Sequence, residues 1–207
     1  MNKYEFVPGD EIVIAPGRTV KRIRALVSIV TFGVTPGMLG GYIENEKNFA
    51  KISGNAWISG DAWISGDAKI SGDAWISGNA KISGDAKISG NAWISGNAQI
   101  SGNAWISGNA QISGNAQISG NAWISGDAKI SGNNSIIWFS KVGKSNGTLT
   151  VFLDKKRDLI FTRGCFIGNV ENFLKKSEAE HDERTHLEYR LLIEVAISRL
   201  TMRGKPL

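Results

Sequence analysis

Between residues 52 and 135 the hydrophobic positions recur with a period of six. Ile opens each of the fourteen hexads, and Ala takes the fifth place in all but the last, so the chain reads Ile-Ser-Gly-Asn/Asp-Ala-x thirteen times. The last hexad, 130–135, has Asn134 at the fifth place. A period of six drifts around a helix of 3.6 residues per turn, and a Gly in each hexad disfavours a helix further. Strands fit the pattern. In Ala-x-Ile-Ser, Ala and Ile share one face, and x and Ser share the other. Gly followed by Asn or Asp then supplies a corner, because both residue types enter the left-handed backbone region at little cost. Short strands joined by corners at fixed length build a coil that stacks on itself, a β-solenoid with six residues per side.

"Ile-Ser-Gly-Asn-Ala-x" resembles the hexapeptide-repeat family, whose pattern is an aliphatic residue, a small or acidic one, two free positions, a small residue and a free position. Ser stands here at the second place, where Gly, Ala, Glu or Asp is commoner in that family. The resemblance implies a mainly β protein built on a left-handed parallel β-helix of triangular section, with three hexads per coil. Fourteen hexads then give a little under five coils, and at about 4.8 Å per coil a rod about 22 Å long. The Ile column would fill the interior, each side chain contributing roughly 1.5–3 kcal/mol. The ends of such a rod expose unpaired sheet edges, so the flanking segments are expected to cover them. The chain divides accordingly into an N-terminal β cap (1–51), the hexapeptide-repeat β-helix (52–135) and a C-terminal α+β cap or interaction domain (136–207) with a β-hairpin and helices.

The sixth letter is the variable one. With three hexads per coil, residues eighteen apart stack on one face. One face then carries Trp57, Trp75, Trp93, Gln111 and Lys129, and a second carries Trp63, Lys81, Gln99, Gln117 and Ser135. The third carries Lys69, Lys87, Trp105 and Trp123. Five indoles thus form two vertical rows. Stacked aromatics can serve as self-packing, worth about 0.5–1.5 kcal/mol per pair, or can fix register where every interior residue is alike. Outward indoles in a contiguous patch also mark contact surfaces. Trp57, Trp75, Trp93, Trp105 and Trp123 are therefore the candidate interface residues. A homo-oligomer is the expected partner arrangement, with covering by the protein's own flanks or a ring-stacking ligand as alternatives; the resemblance favours a trimer.

In the N-terminal flank, "KYEFV", "EIVIA" and "TVKRIRALVSI" read as short strands joined by Pro-Gly turns. After the hexads, "TLTVFL" and "DLIFTRGCFI" predict a hairpin around "DKKRD", and Asn169 is a candidate helix N-cap. "THLE" predicts a last helix starting at Thr185, with Glu188 closing a capping box. Tyr189, Leu192, Ile193, Ala196 and Leu200 give that helix an apolar stripe. The formal charge of +5 resides in the flanks. Lys155, Lys156, Arg157 and Arg163, on or beside the hairpin, are a candidate anion-binding group, against the plainer reading of a solvated turn. Cys165 is the only cysteine, so an internal disulfide is excluded; its apolar neighbours suggest a buried thiol. The N-terminus lacks the apolar core of a signal peptide, and the expected location is the cytoplasm of a bacterial host cell, with no membrane span.

"GRTVKRIRAL…GMLGGYIENEKN" before the hexads and "GCFIGNVENF…HLEYRLLI" after them resemble phage and prophage hexapeptide-repeat proteins. That resemblance implies a host-directed binding role, including interference with a defence system. Acyltransferases of the wider family use a His on the solenoid or on a loop leaving it. No His lies in the hexads and no loop interrupts them; His181 and His186 are the only two in the chain. Flat walls supply neither a base in reach nor a pocket. The reading is a non-enzymatic binding or scaffolding solenoid without metal or cofactor, since Asp61, Asp67, Asp73, Asp85 and Asp127 lack His or Cys support. The partner would be a host protein or a small anionic ligand, nucleic acid not being indicated. The alternatives are an acyltransferase using His181 or His186 of a neighbouring subunit and, more weakly, an ice- or polysaccharide-binding wall.

Overall fold

The computed structural model of the protein describes residues 2–49 and 54–201. Ile52 and Ser53, which open the first hexad, lie outside the described residues, as do Ala50 and Lys51 before them. The N-terminal flank forms β1 (Tyr4–Ala15), β2 (Arg18–Ala25) and β3 (Leu39–Ile43). "KYEFV" and "EIVIA" are one strand rather than two. Pro8-Gly9 sits at an interruption of register between Phe6 and Glu11, and only Pro16-Gly17 makes the turn into β2. A proline lacking its N–H is tolerated at such a bulge on an edge strand. Strand β2 ends at Ala25, and a 3-10 turn at Val30–Phe32 replaces the expected continuation.

Among the described residues the hexads give thirteen two-residue strands, each made of a sixth letter and the following Ile. These are β4 (Trp57–Ile58), β5 (Trp63–Ile64), β6 (Lys69–Ile70), β7 (Trp75–Ile76), β8 (Lys81–Ile82), β9 (Lys87–Ile88), β10 (Trp93–Ile94), β11 (Gln99–Ile100), β12 (Trp105–Ile106), β13 (Gln111–Ile112), β14 (Gln117–Ile118), β15 (Trp123–Ile124) and β16 (Lys129–Ile130). Each pairs in parallel with the strand three places on, giving three walls: β4-β7-β10-β13-β16, β5-β8-β11-β14 and β6-β9-β12-β15. The molecule is therefore a mainly β, three-sided parallel solenoid of about five turns.

Hydrogen bonds tie each coil to the next beyond the strand pairs themselves. Lys81 N donates to Ala98 O at 2.8 Å, Ser83 N to Ile100 O at 2.9 Å and Asp85 N to Gly102 O at 2.9 Å. Every described Ile and Ala of the array is buried, so the period-two reading of each side is correct. At the corners from Gly60 to Gly108 a Gly takes φ of 64–69°, as at Gly84 (φ 68°), and rides directly on the Gly one coil on. The following Asn residues stack into ladders, with amide-to-amide bonds of 3.1 Å from Asn79 to Asn97 and from Asn103 to Asn121. Asp67 and Asp85 fall one coil apart in the same corner column as Asn103. Two adjacent carboxylates cannot donate to one another, and like charges directly opposite are destabilising. Asp85→Asn is accordingly expected to raise the melting temperature by about 1–2 °C by extending the ladder; a lower melting temperature would contradict it.

Side chains of the N-terminal cap complete the first coil. β3 adds to the second wall through β5, with Tyr42 beside Trp63. Gly40 and Gly41 permit that approach: a Cβ on Gly40 would lie 2.9 Å from the Trp57 ring, and one on Gly41 2.5 Å from Ala62 O. Asn48, fully buried, donates from Nδ2 to Gly66 O (2.8 Å) and Ala68 O (2.9 Å), the carbonyls a further coil would have engaged. Arg22 Nη1 similarly reaches Gly60 O at 3.1 Å. Glu44 accepts from Gly66 N and from Arg18. Its bonds to Arg18 and Gly66 hold its carboxyl well below its ordinary 4.5, at about 2. A depressed folded pKa stabilises above the unfolded value, and that stabilisation is lost as pH falls from about 4.5 towards 2. Thermal melts of wild type and Glu44→Gln are expected to converge across that window; an unchanged gap would contradict the assignment.

After β16, Asn133–Ser135 forms a 3-10 turn that places Ser135 inside rather than on the second wall. A four-stranded antiparallel sheet follows: β17 (Ile136–Val142), β18 (Gly147–Leu153), β19 (Leu159–Arg163) and β20 (Phe166–Gly168). The expected hairpin is its β18–β19 pair. "DLIFTRGCFI" is two strands, because Gly164 turns the chain at φ 57°. Cys165 therefore sits on a turn and is exposed, not buried. The sheet closes the solenoid from one face: Ile136 and Phe152 join the solenoid core. Thr150 Oγ1 accepts from Trp123 N (3.1 Å) and Thr162 Oγ1 donates to Trp123 O (2.6 Å), pairing the free edge of β15.

The other face of the sheet carries Val151 and Phe161 against α1 (Val170–Glu180) and α2 (Glu183–Thr201). Asn169 caps α1 as expected, accepting from Asn172 N at 2.9 Å. The start of α2 differs from the expected capping box. Asp182 is the acceptor for Thr185 N (2.8 Å), and Glu188 instead accepts from Gly143 N of the sheet. A tertiary partner thus outcompetes the local cap. Tyr189, Ile193, Ala196 and Leu200 are buried against the sheet, with Leu192 partly so. Among the described residues no helix is long and apolar enough to cross a membrane.

Candidate contact surface

The parallel register places the sixth-letter side chains from Trp57 to Lys129 where the period of eighteen predicts. Trp57, Trp75, Trp93, Gln111 and Lys129 are neighbours on one wall. Lys69, Lys87, Trp105 and Trp123 are neighbours on another. What differs is how much of each indole reaches solvent. Trp57 is 1% exposed, lying edge-on to Phe49 at a ring separation of 6.3 Å and against Gly40. It belongs to the core of the N-terminal cap, and the expectation that it contributes to a contact surface is corrected. Trp75 is half-buried beneath Phe32, whose ring centre is 4.7 Å away. The protein's own N-terminal flank therefore covers the lower part of this row.

Trp93 remains, 50% exposed, tilted against Trp75 at 6.2 Å. A shallow depression beside it is lined by Ser95, Gln111 and Ser113. On the next wall Trp105 is 46% exposed and stacks nearly parallel on Trp123, at 5.5 Å and 12°. Lys87 Nζ lies 5.9 Å from the centre of the Trp105 ring, within reach of a weak cation–π attraction. Trp123 is half-buried under the C-terminal sheet, and its Nε1 is buried with no hydrogen-bond partner among the described residues. Trp93 and Trp105 stand in the same coil, on walls that meet at the corner column of Asn91 and Asn109. The two exposed rings therefore flank one edge of the rod.

The four cations considered as an anion group are not brought together. Lys155 is paired with Asp127 of the last coil at 3.3 Å. Asn109 and then Lys155 hold the Asp127 carboxyl below its ordinary range. Lys156 and Arg157 are exposed on a tight turn that Asp154 organises by accepting from Lys156 N and Asp158 N, both at 2.8 Å. Arg163 lies at the far end of β19, where it donates to Tyr189 Oη, Val142 O and Ser145 Oγ. A five-residue strand at about 3.3 Å per residue separates the two ends. Neither His stands on a coil: His181 is the C-cap of α1, and His186 Nδ1 lies 3.2 Å from Ser177 Oγ. No group of three or more His, Cys, Asp or Glu residues that could hold a metal ion occurs among the described residues.

Three overlapping stretches, residues 98–114, 110–126 and 116–132, match the YdcK beta solenoid repeat. No curated protein and no solved structure matches the chain. The matched stretches are the coils that carry Trp105 and Trp123 at their sixth letters, and their similarity agrees with the three-walled register. Repeat and register together establish a β-solenoid repeat protein, consistent with a repeat β-helix family.

Proposed function

We propose that the protein is a non-enzymatic binding or scaffolding solenoid that self-associates, with a trimer as the favoured assembly, through the rod edge flanked by Trp93 and Trp105. The observation carrying this reading is the pair of half-exposed indoles in one coil, on either side of one corner, while Trp57, Trp75 and Trp123 are covered by the caps. Exposed aromatics in a well-ordered frame are the residue type that anchors interfaces. The rigid coil fixes their spacing, so little conformational entropy is lost when a second surface meets them. The capped ends support the same reading: with backbone edge groups at both ends engaged by Asn48, Arg22, Thr150 and Thr162, association is favoured through the walls rather than end to end. The uninterrupted coils, with both His residues on the C-terminal helical segment, favour binding over acyl transfer. The likeness of the flanks to phage and prophage proteins points to a bacterial cytoplasm and a host protein as the further partner.

The Trp93→Lys, Trp105→Lys double variant tests the edge. Both residues point away from the core, so the circular dichroism of the solenoid is expected to be unchanged while sedimentation velocity shows the oligomer replaced by monomer. An oligomer of wild-type mass in that variant would contradict the proposal.

A further inference from the structure

A separate cleft of about 190 Å³ opens between the β19–β20 turn and the two helices. Its aromatic walls are Phe166, Phe173 and Tyr189, packed edge to face at 5.1 and 5.2 Å, with His181 5.6 Å from Tyr189. Arg163 lines it together with Ser145, and Cys165 stands on the turn at its margin. We propose that this cleft binds a small planar organic monoanion, an aromatic carboxylate being the type.

Charge sets the first part of that class. Lys176 and Glu180, both in the lining, are an ion pair at 3.5 Å and offset each other. Arg163 has no carboxylate within ion-pair distance among the described residues; its bonds go to neutral oxygens of Tyr189, Val142 and Ser145. A guanidinium carries five N–H donors, and three are used, leaving the two on Nη1. Arg163 is held flat for this: its guanidinium lies on Gly147, where a Cβ would fall within 3 Å of it. Tyr189, 1% exposed, accepts from Arg163 Nε at 3.1 Å, so its own hydroxyl proton stays available to a second acceptor. One uncompensated cation beside a free hydroxyl donor suits one carboxylate.

The walls set the second part. A cavity of roughly 150 Å³ accommodates a single six-membered ring, and edge-to-face aromatic walls offer such a ring both faces and edges to pack on. Inorganic phosphate would satisfy the guanidinium and leave those walls bare.

Cys165, the chain's only cysteine, provides the readout. Its rate of alkylation by iodoacetamide, followed by intact mass, is expected to fall several-fold with millimolar benzoate. Benzyl alcohol and inorganic phosphate at the same concentration are expected to leave it unchanged. Arg163→Gln is expected to abolish the benzoate effect, and Lys156→Gln on the other basic turn to retain it. The comparison of benzoate with benzyl alcohol is made on the wild-type chain and stands even if Arg163→Gln loosens the sheet. No protection by benzoate, or equal protection by benzyl alcohol, would overturn the anion site; equal protection by phosphate would overturn the aromatic ligand class.

Discussion

Asn48→Leu is expected to lower the unfolding free energy by about 3–5 kcal/mol, since each buried polar group left without a partner costs about 1–3 kcal/mol. The amide of Asn48 engages Gly66 O and Ala68 O, and its Oδ1 accepts from Asn45 N at 3.0 Å. Leucine has similar volume, so packing is nearly conserved and the loss is that of the three bonds. No water can replace them, because Asn48 is fully buried. The midpoint of urea unfolding should fall with its slope unchanged. A second consequence follows from the topology. The orphaned carbonyls belong to the edge of a parallel stack, so the variant should also aggregate more readily. A loss below about 1 kcal/mol would mean that the first coil is not closed by this side chain.

Gly84→Ala is the second large effect. Gly84 has φ of 68°, and a Cβ there would lie 2.8 Å from Gly102 N and 2.9 Å from Gly102 O. The left-handed backbone alone costs an alanine about 1–2 kcal/mol. The contact adds to it, because both opposing atoms are backbone held in the ladder by Asp85 N to Gly102 O. A total of about 2–4 kcal/mol is expected, with loss of a uniform coil spacing above the site. Gly132→Ala supplies the contrast within the same repeat. Its φ is 167° as the residue before the terminal 3-10 turn, and a Cβ there meets nothing within 4 Å. That substitution is expected to be nearly neutral. Similar losses at both positions would contradict the stacked-corner account.

The walls were legible because their physics is local and repeated: Ala and Ile alternate with an outward letter, and Gly sits at the corners; the three sides per coil that the family resemblance implies then place Trp75 beside Trp93 and Trp105 beside Trp123. The fate of the indoles was not legible. Trp57 carries the same hexad context as Trp93, and what buries it is Phe49 and the close approach allowed by Gly40, neither encoded in the repeat. The caps were legible as a need rather than as residues. Thr150 and Thr162 serve Trp123 across 27 and 39 residues of sequence, and nothing in "TLTVFL" distinguishes a threonine that pairs an edge from one that faces water. Local signals failed where a distant partner intervened, as at Glu188, which leaves its capping box for Gly143 N. Apolar neighbours likewise misplaced Cys165, because Gly164 turns the strand just before it. The cleft beside Arg163 gathers residues from β19, β20 and both helices, and only the packed structure brings them together.

The rod edge carrying Trp93 and Trp105 is proposed to join copies of this chain. Native mass spectrometry of the wild-type protein, gently purified, tests it most directly. A whole-number multiple of the 22.3 kDa chain is expected, with three copies favoured, and its collapse to one copy in the Trp93→Lys, Trp105→Lys variant. A wild-type protein that flies as a single chain across the micromolar range would contradict it.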